Sequence, residues 1–191
     1  MALERQEPVA RTEAELIQSV GEWADKNFGD RRGADWGIIE EMGEASHCIL
    51  KAQQKIRGFD SEEYFQRMFA DALADIIIYL CDWCYPRQAI FKFQRNLKVP
   101  VAEPEMQRRI MAVMLQTAGV MISQSHVLPG DVIEPAQIPV YNLLAQRMCT
   151  CVEQLAASEK MDLTLIVSST WEKVIQRDWK QAPAGPLPEL A

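Results

Sequence analysis

Glycine is sparse in this chain, nine residues out of 191, and no alternating apolar–polar segment of convincing strand length is present. The turn chemistry and period-two pattern of a β-rich fold are therefore missing, and the chain reads as helical almost throughout. No apolar stretch approaches the roughly 20 residues that span a bilayer, so no membrane span is expected. An excess of positive charge is lacking too. The net charge of −7 and pI near 5.0 leave no broad basic face for duplex nucleic acid. An acidic protein can still take a phosphorylated small molecule when a divalent cation bridges the two.

Histidine occurs only twice, at 47 and 126. Glu44 and His47 form one Glu-x-x-His unit, but His126 has Ser123 three residues before it. A ferritin-like di-iron bundle needs two such units, so that chemistry is set aside. The five cysteines are an odd number with no secretory h-region ahead of them, which fits a reducing, cytoplasmic setting. Cys81 and Cys84 have CxxC spacing without a second pair to complete a zinc site, and they lie inside an apolar helical run. These two, with Cys149 and Cys151, read as buried thiols.

Six helices are expected. Thr12 to Glu15 form a capping box, opening a helix that buries Leu16, Val20, Trp23 and Ala24. Asn27 to Gly33 reads as a turn. Asp35 is placed as the cap of a second helix, running to about Arg57 and stopped by Gly58. Ser61, with Glu62 and Glu63 in the first turn, starts a third helix reaching about Cys84, before Pro86. Residues 85–104 carry three prolines and read as connector with at most one short helix. Further helices are expected from Pro104 to Val127, from near Val140 to Ser158, and from Asp162 to Lys180. The fold expectation is a single all-α antiparallel bundle over 1–180, with a flexible proline-rich tail over 181–191.

The chemistry-bearing residues fall on helices two and three. Ile38, Met42, Ala45, Ile49 and Ala52 set a core stripe on helix two; Glu41 falls on its flank, and Glu44 and Glu40 follow further round. Glu41 and Glu44 project from adjacent turns of one face, where like charges repel unless a cation coordinates them. On helix three, Asp75 sits in Ala72–Cys81, a run apolar on every side, and is therefore expected to be buried. An isolated buried carboxylate is costly unless paired with arginine or lysine, or bound to metal. Asp71 lies one turn earlier on the same face; Asp82, two turns later, reads as a polar residue near the helix end. A short connection over 58–60 favours an antiparallel hairpin, which brings Glu44 level with Asp71 to Asp75. Four carboxylates, Glu41, Glu44, Asp71 and Asp75, would then face one another. Oxygen-only ligands select Mg²⁺ or Mn²⁺ over zinc.

Glu-Glu-x-x-Glu on one helix, followed by an acidic pair ending in Asp before an aliphatic helix, resembles the MazG-like all-α NTP pyrophosphohydrolases, whose superfamily includes dimeric dUTPases and dCTP pyrophosphatases. The resemblance covers about residues 12–84. The family's second motif is Glu-x-x-Asp; here Asp75 matches the Asp, Ala72 stands at the Glu position, and Asp71 is the neighbouring carboxylate. The resemblance implies cleavage of a nucleoside triphosphate between its α and β phosphates, and assembly as a homodimer or homotetramer. On that reading Glu40 or Glu41 serves as the base toward water. Lys51, Lys55, Lys98 and Asn96 are candidates for touching the triphosphate, each weighed against a plain surface role. Trp36, one turn before the acidic motif, is a candidate for stacking on the base, weighed against a core role. The other reading is a non-catalytic relative acting as a nucleotide-binding or interaction module, which Ala72 favours.

Overall fold

The computed structural model describes residues 11–29, 33–94, 103–124 and 132–179. These residues form six α-helices and one short 3-10 turn, with no strand among them. The helices are α1 (Glu13–Asn27), α2 (Ala34–Gln54), α3 (Glu62–Cys84), α4 (Pro104–Ser123), α5 (Ile138–Ser158) and α6 (Leu163–Val174); the 3-10 turn is Tyr85–Arg87.

Local chemistry sets most of these limits. The Thr12 hydroxyl accepts from the Glu15 amide while the Glu15 carboxylate accepts from the Thr12 amide, the reciprocal capping box read from the sequence. Ser61 and Asp162 cap α3 and α6 in the same way, accepting from Tyr64 N and Leu165 N.

Some boundaries differ from expectation. The α2 cap is Gly33, which makes no side-chain capping bond; Asp35 lies inside the first turn, where its charge favours the helix N-terminus. The helix stops at Gln54, before Arg57, because Lys55 takes a left-handed φ of 53°. The Ile56 and Lys55 amides then fold back onto the Lys51 and Ala52 carbonyls, a Schellman-type closure that consumes end-of-helix acceptors without a glycine. The connection to α3 is therefore 55–61, longer than the expected 58–60. Likewise α5 begins at Ile138, ahead of Val140, and α6 ends at Val174, short of Lys180. Described α4 ends at Ser123; Val127, the Pro129–Gly130 stop and the tail 181–191 lie outside the described residues.

The core is one apolar cluster drawn from all six helices, with α3 at its centre. Within α3, Ala72, Leu73, Ala74, Ile76, Ile77, Leu80, Cys81, Trp83 and Cys84 are each at most 1% exposed, which explains why that run shows no polar face. Each large side chain so buried contributes on the order of 1.5–3 kcal/mol. Around α3 pack α1, α2, α5 and α6, while α4 packs on α5 and α2. Cys81, Cys84, Cys149 and Cys151 are free and buried, as read, and so is Cys48. Trp23 is only partly buried, set edge-on against Trp171 and Phe28.

An extended segment, Ala89 to Gln94, is strapped across the bundle without helical or sheet bonding. Alternate amides are held by side chains: Ile90 N donates to Asn142, Lys92 N to Gln146 and Gln94 N to Glu153, all on α5. Between them, Phe93 N donates to Glu13 on α1. Buried Ala89 and Phe91 alternate with exposed Ile90 and Lys92, the period of an extended chain.

Close backbone approach fixes the register of α2 on α3. A Cβ added at Gly37 would sit 2.4 Å from the Tyr79 ring. Gly37→Ala should therefore destabilise the protein by about 1–3 kcal/mol, although alanine is the better helix former. A thermal melt showing equal or greater stability for the variant would contradict this packing.

Candidate metal and nucleotide site

With Gly37 opposite Tyr79, the two helices run antiparallel and bring the acidic residues to one level. Glu41 is half-buried, and its carboxyl is pushed up to about 8, first by burial, then by the charges of Asp75, Glu44, Glu40 and Asp71. Asp75 is pushed up to about 6 by burial and Asp71; Arg177 opposes the rise and Glu44 adds to it. Tyr79, one turn beyond Asp75, rises to about 12 through burial and then Glu41, Glu40, Asp75 and Asp82. These mutual effects put Glu41, Glu44, Asp71 and Asp75 in one electrostatic neighbourhood, with Glu40 at its edge and the Tyr79 phenol beside it.

Their exposure differs. Asp75 is partly rather than fully buried; Glu40, Glu44 and Asp71 are exposed. Ala72 is 1% exposed, so the position aligned with the family glutamate is turned into the core. The carboxylate on offer is that of Asp71. Among the described residues no three His, Cys, Asp or Glu side chains are gathered tightly enough to form a ready-made metal clasp. The donors are all oxygen, the type a hard divalent cation takes, and Glu41 and Asp75 among them are partly desolvated. The exposed members stand on surface positions that leave their side-chain torsions free to close on an ion.

Other candidates lie elsewhere. Lys51 Nζ donates to Gln54 at the C-terminal end of α2. Lys55 lines a separate cleft of about 330 Å³ with Ile49, Phe59, Phe65, Gln107 and Glu159, on the α4 side of the hairpin. Neither lysine perturbs the acidic cluster. Trp36 is 67% exposed one turn before Glu40, so it is not a core residue. Asn96 and Lys98 lie outside the described residues. Asp82, read as a helix-end polar residue, is 6% exposed and faces the interior.

A second cleft, of about 430 Å³, opens directly beside the acidic groove and shares Glu40 and Glu44 with it. Its remaining lining is Gly43, His47, Cys48, Phe59, Tyr64 and Met68. Three features were missed from the sequence. Tyr79 lay in view, at i+4 from Asp75. The cleft needed the 55–61 turn, which swings Phe59 inward. Arg177 gives no signal, being 102 residues from Asp75 along the chain.

Among the described residues no helix is long and apolar enough to cross a membrane. No family model matches the chain, and no match was found among curated proteins or solved structures.

Proposed function

We propose that this protein is a Mg²⁺-dependent nucleoside triphosphate pyrophosphohydrolase of the MazG-like kind, releasing a nucleoside monophosphate and pyrophosphate in nucleotide-pool housekeeping. The observation that carries the reading is the cluster of Glu41, Glu44, Asp71 and Asp75, in which burial first and the neighbouring carboxylate charges second lift Glu41 and Asp75. Folding has gathered like charges at a partly dry surface where they cost stability, an arrangement that a bound cation reverses.

Glu41, Glu44, Asp71 and Asp75 would hold Mg²⁺, with Mn²⁺ as a substitute. When bound, the ion neutralises phosphate oxygens and makes a nearby water more acidic. Glu40, exposed at the edge of the cluster, is placed to take a proton from that water; Glu41 can do so only in its ionised form. The Tyr79 phenol keeps its proton well above neutral pH and offers an O–H donor on the same face. The oligomeric form is proposed, as for the family, to be a homodimer or homotetramer, and the setting cytoplasmic.

The test is a panel of canonical, deoxy and modified NTPs with Mg²⁺, assayed for pyrophosphate. Release from at least one nucleotide, dependent on metal, is expected. A second reading, a non-catalytic nucleotide-binding or interaction module, is favoured by the inward-turned Ala72. Magnesium raising the melting temperature without turnover of any nucleotide would select that reading instead.

A further inference from the structure

Cleavage between the α and β phosphates leaves the sugar one ester bond from the reacting phosphorus. The nucleoside must then lie against the carboxylates, which is the premise taken from the proposed function. Two features on α2 satisfy that adjacency. Trp36 lies one turn before Glu40 but is 67% exposed. The 430 Å³ cleft begins at Glu40 and Glu44 themselves and is concave. Its volume falls within the roughly 300–1,000 Å³ of small-molecule sites.

Its walls suit a flat, aromatic, partly polar ligand. From α2 come Glu40, Gly43, Glu44 and His47, at i, i+3, i+4 and i+7, one continuous stripe of the helix. Opposite stand Tyr64 and Met68 on α3, and buried Phe59 closes the end toward the hairpin turn. Phe59 meets His47 edge-on at 5.9 Å and Tyr64 edge-on at 5.0 Å, so its ring props both in place. The imidazole of His47 is exposed and brings a donor and an acceptor; Met68 brings a polarisable sulfur. A gap in the stripe makes the room: a Cβ at Gly43 meets nothing within 4 Å.

We propose that this cleft, with Gly43 as its floor and His47, Tyr64 and Met68 as its walls, receives the nucleobase of the substrate, and that Trp36 does not. His47 and Tyr64 are then specificity-determining residues, and Gly43 holds the cleft open.

Gly43→Leu starts its side chain in open space, where a Cβ meets nothing within 4 Å, and His47→Ala removes an exposed group whose contact with the core is its edge-on meeting with Phe59. Calorimetric titration of the four deoxynucleoside monophosphates into the full chain with Mg²⁺ reads the base site without requiring turnover. Titration with pyrophosphate reads the metal site alone. The expected result is tight binding of at least one monophosphate by wild type, weakened about tenfold or more by Gly43→Leu and less by His47→Ala. Pyrophosphate affinity should be unchanged in both, which also shows that the variants are folded. Trp36→Ala should bind the monophosphate as wild type does. Equal monophosphate affinity in wild type and Gly43→Leu, binding lost only in Trp36→Ala, or no binding by any form would overturn the assignment. A binding difference that persists without turnover of any triphosphate would sink the hydrolase reading while leaving the cleft a base site.

Discussion

An Asp75→Asn variant is expected to release pyrophosphate at least about a hundredfold more slowly than wild type, with magnesium no longer raising its melting temperature. The reasoning starts from burial. Among the four clustered carboxylates, Asp75 and Glu41 alone are shielded from water, and a partly desolvated ligand holds an ion far more strongly than one that water competes for. The amide keeps the shape and one acceptor oxygen but removes the charge. The same change should slightly stabilise the metal-free protein, since Asp75 is the first-ranking charge acting on Glu41. Loss of activity with a gain in metal-free stability is hard to obtain from simple misfolding. An Asp75→Asn protein that turns over nucleotide at the wild-type rate would remove the two-helix site from consideration.

The metal-free protein should also lose stability as pH rises from about 6 to about 8.5. A carboxyl whose folded value exceeds its unfolded value binds its proton more tightly in the folded state, so folding is favoured at low pH. That contribution is complete below about 4.5 for Glu41 and is lost as pH climbs through about 8. Asp75 and Glu153 carry the same sign but are half-titrated near 6 and largely ionised by about 7, which leaves the interval from 7 to 8.5 mainly to Glu41. Discounted for its partial exposure, the effect is about 1–2 kcal/mol, a few degrees of melting temperature. Glu41→Gln should flatten the slope and melt higher than wild type at pH 8. Melting curves in chelator at three pH values decide the matter: a slope that survives the substitution cannot belong to Glu41.

Much of this was legible because it was local. The capping box at Thr12 and the caps at Ser61 and Asp162 are satisfied within three residues, and the all-round apolar run of α3 announced its central place. The facing of Glu41 and Glu44 with Asp71 and Asp75 followed from two helical periods and a connection between them. What escaped depends on distant partners or on backbone choices with weak residue signatures. Lys55 ends α2 in a conformation usually taken by glycine, so Gly58 looked like the better stop. Asp75 reads as buried from its own helix, yet it is only partly so, because burial depends on neighbouring helices that its local run does not reveal. The segment over 89–94 is too short for its alternation to stand out, and its amides are satisfied by the distant side chains of Asn142, Gln146, Glu153 and Glu13.

With α3 at the centre of the core, the acidic hairpin depends on helices far along the chain. One side of that helix is covered by α2, its neighbour in the chain, but another is covered by α6, which arrives some eighty residues later. An excised fragment holding only the motif-bearing pair would present Ile76, Ile77 and Leu80 to water and would associate or collapse rather than fold. The carboxylates are borne by two helices, yet their alignment is a property of the whole cooperative unit.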